Sequence, residues 1–367
     1  MTPTDRTLID SHIHFCDHTR LVELERYCGE IGADRICVLS LPVKERINFN
    51  PEALLAKVHF GERCYALGSF DFSAIFYDAH EPLDLADQVR RLWRLGFDGL
   101  KIFAGKPSFQ RQLGLKLDDP PFLEALREAE RLNLPVLMHV ADPPVFWPEA
   151  NGSVEARPLP GYEELQRQAL AVLESCPALP VIFPHLLMMA HDLDRLARIL
   201  QAHRNAHLDL APGLYFYGDL DRSRGDAREF FHTFRERILF GSDGFWFTRT
   251  FSAIPYADYA DNLRRSEFLL GFLGTAEQMD NPFPPTRPAR PRVRGLALET
   301  EVLDRICREN FRRLYPPSPR RINRDACLEY AGELRDGLAA VGTSAVDRDA
   351  LRTVYRELEA ALRGARG

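Results

Sequence analysis

The chain has 367 residues, 45% of them hydrophobic and 27% charged, which suffices for one large domain or two of medium size. Its net charge of −6 comes with no long basic stretch interleaved with aromatics, arguing against nucleic acid as a partner, and no apolar run approaches the ~18 residues of a membrane span. The opening MTPTDRTLID lacks the basic and apolar regions of a signal peptide, and the seven cysteines show no paired spacing, so the expectation is a cytoplasmic protein with reduced thiols.

The first predicted strand, 7–15, contains LIDSHIHF. Residues i and i+2 of a strand point the same way, so His12 and His14 share a side while Ile13 turns away. Two co-directed imidazoles can begin a divalent metal site, although an isolated pair at a strand end is more often bonded to loops. Further strands are predicted at 35–42, 64–71, 99–104, 135–140, 180–187, 206–211 and 238–243. Helical patterns lie between them at 19–32, 51–59, 83–95, 121–132, 161–175, 191–203 and 226–236. In LDLADQVRRLWRLG, for example, Leu85, Val89, Leu92 and Leu95 fall at helical spacing and Gly96 marks the stop.

Eight strands alternating with helices predict an α/β chain folded as a (β/α)8 TIM barrel. A doubly wound open sheet is the rival, disfavoured because no GxGxxG follows the first strand. Beyond strand eight come a helical stretch at 256–273 and a proline- and arginine-rich excursion at 274–295, read as a lid, a subunit contact or an ordered loop. LETEVLDRICRENFRRLY then closes a barrel domain spanning 1–315. Residues 316–367 form a helical extension whose polar, amphipathic helices are expected to pack outside the barrel or against a second copy in a homodimer.

Active sites in such barrels lie at the C-terminal ends of the strands. There the apolar runs are interrupted one by one: GLKIFAG carries Lys101, LPVLMHV ends in His139, LPVIFPHLL carries His185 and ILFGSDG carries Asp243. Each has an ordinary explanation alone. His139 could be a satisfied core histidine, His185 a cap, Asp243 an N-cap or turn residue, and Lys101 a side chain reaching solvent. Burying such groups without partners costs several kcal/mol each, and a shared metal removes that difficulty for the imidazoles and the carboxylate. Together with the first-strand pair they are read as a metal centre. The remaining histidines are read as surface or packing residues.

This ordered set resembles the amidohydrolase superfamily, and IDSHIHF, HLLMMAHDLDRLARIL, ILFGSD and ENFRRLY resemble its amidohydrolase-related branch, which includes aminocarboxymuconate-semialdehyde decarboxylase. The resemblance covers roughly residues 7–315. It implies a divalent metal, usually zinc, held by His12, His14, His139 and Asp243, with His185 as catalytic imidazole in mononuclear members. In binuclear members His139 and His185 hold a second metal, bridged by a carboxylated lysine at the place of Lys101. One ion is the favoured expectation, with Lys101 then free to grip a substrate carboxylate. Asp243 would take the proton of a metal-activated water and His185 would serve the oxyanion or the leaving group. The leading expectation is hydrolysis of an amide, lactam or lactone in a small substrate. Decarboxylation of an aromatic or muconate-type acid is the runner-up, and a non-catalytic binding protein is third.

Specificity is expected from the loops. The stretch ADPPVFWPEANGSVEARPLPGY offers Phe146 and Trp147 as walls of an apolar pocket. Lys106, Tyr215, Tyr217 and Arg249 are candidates for holding a substrate ring or carboxylate.

Overall fold

Near-continuous apolar runs make strands buried on both faces, as a parallel sheet covered by helices requires. The computed structural model, which describes residues 7–43, 47–77, 83–143, 159–212, 216–247, 257–282, 292–337 and 348–364, has this arrangement. The parallel strands are β1 (Leu8–Phe15), β2 (Ala33–Leu39), β3 (Cys64–Gly68), β4 (Gly99–Gly105), β5 (Val136–Val140), β6 (Val181–Phe183), β7 (Ala206–Asp209), β8 (Ile238–Leu239) and β9 (Gly244–Trp246). They pair in the order β8-β7-β6-β5-β4-β3-β2-β1-β9. β8 falls in the predicted eighth strand, 238–243, and β9 lies just beyond it; with β8 bonded to β7 and β9 to β1, the ring closes through residues 238–246. The fold is the predicted (β/α)8 barrel.

Between the strands run α1 (Leu21–Ile31), α2 (Asn50–Phe60), α3 (Leu85–Leu95), α4 (Pro120–Arg131), α5 (Tyr162–Ser175), α6 (Leu193–Ala202) and α7 (Arg224–Thr233), with α8 (Tyr259–Gly274) following β9. Helix α3 illustrates the local logic. Asp84 caps its N-terminus by accepting the Asp87 N–H, the four apolar residues expected to face inward are buried, and Gly96 ends it at φ 100°. The barrel interior is filled by Ile9, Leu39, Leu67, Leu137, Ile182 and Leu239, among others. Phe311 and Tyr315 pack into the same cluster, stacked on each other and edge-on to Tyr65.

Two departures from the sequence reading concern the strand ends that carry the site. The eighth strand does not run unbroken to residue 243. Its ladder stops after Leu239 because Phe240 bonds instead to Ile306 O and Ser11 N, and Ser242 N turns to the Asp10 carboxylate. The sixth stops at Phe183 rather than 187, since Pro184 has no N–H to give and the next four residues adopt positive φ. His207 lies within the predicted seventh strand, on β7 opposite Ile182. The excursion at 274–295 is partly sheet: Gln278–Asp280 pairs antiparallel with Arg292–Arg294. Helices α9 (Arg324–Gly337) and α10 (Arg348–Gly364) pack on each other and on α3 and α2, against the outside of the barrel. Among the described residues no helix is long and apolar enough to cross a membrane.

Candidate metal centre

The first strand is not regular, and its irregularity aims the histidines. Relative to β2, β1 carries an extra residue between Asp10 and Ile13. Ile9 faces the barrel interior, but Ile13 and Phe15 pack toward the helices, which turns His12 and His14 inward. A carboxylate secures the bulge: Asp10 Oδ1 accepts the N–H groups of His12 (3.2 Å) and Ser242 (3.0 Å), and Oδ2 accepts the Tyr27 hydroxyl (3.0 Å). Burial pushes this carboxyl up to about 6 against those hydrogen bonds. The strand-eight break comes so close that a Cβ at Gly241 would lie 2.7 Å from His12 Cβ. Likewise a Cβ at Gly105 would lie 2.0 Å from His139 O, so glycine lets β4 approach the His139 strand.

His12 Nε2 and His14 Nε2 are 3.1 Å apart, and Asp243 Oδ1 lies 3.3 Å from the first and 3.2 Å from the second. Four metal bonds of about 2.0–2.2 Å at tetrahedral angles put neighbouring donors roughly 3.3–3.6 Å apart, so this triangle is close to one face of such a tetrahedron. Imidazole with carboxylate is also a donor set suited to zinc and its neighbours. Among the described residues it is the group of three metal-capable side chains whose donor atoms converge. The protonation states agree. Burial, helped by the Lys101 charge, holds His12 well below its ordinary value, and burial holds His14 down to about 4 against its bond to Asp243. Both imidazoles are therefore neutral, with lone pairs to offer, at neutral pH. Burial alone would raise Asp243, but the His14 hydrogen bond and the surrounding imidazoles outweigh it and hold the carboxylate ionised. Asp243 achieves its position with φ 53°, a left-handed backbone uncommon for residues other than glycine, though aspartate enters it more readily than most.

His139 and His185 border this triangle without joining it. Their rings are 5.3 Å apart, and His185 is 5.8 Å from His12. His139 is buried against Phe103, its pKa pushed down to about 3 by burial, and its Nε2 has no hydrogen-bond partner among the described residues. His185 has φ 57° and points Nδ1 at Ala211 O, 2.8 Å away. A carbonyl only accepts, so Nδ1 carries the proton and Nε2 is the free nitrogen. Lys101 is buried inside the barrel, in register with Leu137, and no hydrogen bond or ion pair holds it among the described residues. Burial pushes its pKa down to about 8, opposed by Asp209 and Asp243.

One residue the sequence reading missed is Asp209, at the end of β7, fully buried with Oδ2 2.7 Å from His12 Nδ1. The signal was there: LDL interrupts an apolar strand near its end, the same feature that singled out strands four, five, six and eight. Lys106 pairs with Asp142 at 2.8 Å, beside His139. Tyr217 lies between Phe268 and Phe272 with its hydroxyl donating to Leu210 O, so its place is in the packing under helix α8. Phe146, Trp147, Tyr215 and Arg249 lie outside the described residues.

A family model described as Amidohydrolase matches residues 66–316, a stretch that holds Lys101, His139, His185 and Asp243 and begins after His12 and His14. Among solved structures the chain is similar to a probable 2-pyrone-4,6-dicarboxylic acid hydrolase from Acinetobacter baumannii, at 13% identity over 84% of this chain and 99% of that one, TM-score 0.49. It is similar to a 2,6-dihydroxybenzoate decarboxylase from Rhizobium, at 15% identity over 84% and 98%, TM-score 0.49. A 4-oxalomesaconate hydratase from Rhodopseudomonas palustris shares 14% identity over 89% and 99%, TM-score 0.49. No curated relative matches the sequence. The chain belongs to the amidohydrolase family.

Proposed function

We propose that this amidohydrolase-family protein is a metal-dependent hydrolase that cleaves a C–N or C–O bond, as in an amide, lactam or lactone, of a small substrate. The observation that carries the reading is the triangle of His12 Nε2, His14 Nε2 and Asp243 Oδ1, with edges of 3.1–3.3 Å, two neutral corners and one ionised corner. A divalent metal held there, zinc first, supplies Lewis acidity and a more acidic water near neutral pH. The chain's own groups do the rest. Asp243, kept ionised, takes a proton at its carboxylate. His185, with Nδ1–H committed to Ala211 O, has Nε2 open to receive that proton from Asp243 and pass it to the leaving group. Lys101, buried and without a described partner, gives a cation for a substrate carboxylate at the floor of the site. One ion rather than two is favoured, because the donors that converge are those of His12, His14 and Asp243, and His185, which a second ion would need, is not among them. The seven cysteines are buried and form no disulfide with one another, which supports a cytoplasmic setting.

The experiment is a panel of lactones, amides and cyclic imides, assayed with zinc, manganese and cobalt, reading both new carboxylic acid and released carbon dioxide. The proposal expects acid without carbon dioxide from at least one class. Carbon dioxide release from an aromatic or muconate-type acid instead would make the protein a decarboxylase, and no turnover of any class would end the hydrolase reading.

A further inference from the structure

We infer that Asp209 is a positioning residue that fixes the orientation and tautomer of two site histidines at once, His12 and His185. The inference rests on the reading of His12 as a metal ligand. Asp209 is fully buried at the end of β7, where it receives three N–H donors. Oδ2 accepts Nδ1–H of His12 at 2.7 Å, while Oδ1 accepts the backbone N–H of His185 at 3.2 Å and of Ala211 at 2.9 Å. The second oxygen closes a ring. Ala211, anchored by its N–H on Asp209, turns its carbonyl to His185 Nδ1 at 2.8 Å, and the His185 backbone returns to the same carboxylate. The left-handed backbone of His185, φ 57°, accompanies both contacts.

The consequence is chemical. In a neutral imidazole the nitrogen that donates settles which nitrogen keeps its lone pair. With both Nδ1 atoms donating, one to Asp209 directly and one to the carbonyl that Asp209 anchors, both Nε2 atoms are left unprotonated. For His12 that nitrogen is the one in the donor triangle, 3.1 Å from His14 Nε2. Only a carboxylate does this on both sides. An asparagine has one oxygen: given to the backbone N–H pair, its amide nitrogen faces His12 Nδ1 as a donor, and His12 must then carry its proton on Nε2, the atom aimed at the metal.

The test is Asp209→Asn, titrated with zinc alone in competition with a chromophoric chelator. Loss of such an outer partner typically weakens metal affinity about 10–100-fold, and that loss is expected here with cooperative thermal unfolding retained. A merely structural role for Asp209 would lower the unfolding temperature and leave the affinity of the folded fraction unchanged, which would overturn the inference. Because a buried carboxylate variant can fail to fold, the metal-free parent is measured as well. Long-range 1H–15N spectra, assigned with His12→Gln and His185→Gln, should put the proton on Nδ1 of both imidazoles, and a proton on Nε2 of either would overturn the inference. A parent that binds no zinc would instead refute the metal reading of the site, a result the tautomer spectra keep separate.

Discussion

Lys101 is a cation placed where a second cation is expected to bind. It is enclosed in the barrel, and its pKa is pushed from 10.5 down to about 8 by burial, against the pull of Asp209 and Asp243. A folded-state value below the unfolded one means that the unfolded chain holds more protons between pH 8 and 10.5. Stability therefore rises with pH across that window, and below it the buried charge costs roughly 3 kcal/mol at about 1.4 kcal/mol per unit. Lys101→Met keeps the length and deletes the charge. In urea unfolding of the metal-free proteins, the variant should exceed the parent near pH 7 and lose that advantage by pH 10.5; parallel curves would contradict a charged, buried Lys101. The same variant addresses the residue's chemical role. A raised Michaelis constant with unchanged zinc content fits a grip on substrate, whereas a fall from two zinc ions to one would identify a carboxylated bridge.

The turn after β6 is the element on which His185 depends, and it was the least legible part of the site. His185, Leu186, Leu187 and Met188 all have φ between 51° and 57°, with no glycine or asparagine among them. Such a conformation costs about 1–2 kcal/mol per residue, so surrounding contacts must impose it. Helix α5 provides two of them: Gln166 Nε2 donates to Leu187 O at 3.0 Å and the Tyr162 hydroxyl to Met188 O at 3.0 Å. Local sequence carries no sign of this, because HLLM reads as the tail of an apolar strand and Pro184 alone hints at a stop. The His12–His14 pairing was legible for the opposite reason. Alternation along a strand is a local rule, and the bulge at Asp10 changed which side of the sheet received the pair without separating it. Gln166→Met should leave Leu187 O unpaired, lowering the unfolding free energy by about 1–3 kcal/mol. It should also lower kcat more than it changes KM, since His185 moves with the turn. Unchanged stability together with unchanged kcat would show that the turn holds without its tie to α5.

At the scale of the molecule, the eight strands could be read because parallel barrel strands are apolar runs, and the helices between them because their buried faces recur at helical spacing. What sequence could not give was contact between distant segments. Lys57 reaches Asp98 at 2.6 Å, and Asp98 in turn accepts N–H groups from Ala66 and, at 2.6 Å, from Arg320, tying the start of the C-terminal extension to β3 and α2. Asp209 was legible as an interruption of its apolar strand, but its partners were not, since they come from β1 and from the turn after β6. The barrel gathers donors from its first and last strands into one triangle, and that convergence is what the functional reading depends on. It is tested most directly by elemental analysis of the purified, dialysed protein beside the His12→Ala/His14→Ala double variant, with cooperative thermal unfolding as the control for folding. The geometry predicts about one zinc or equivalent divalent ion per chain in the parent and none in the variant; equal metal content in the two proteins would contradict it.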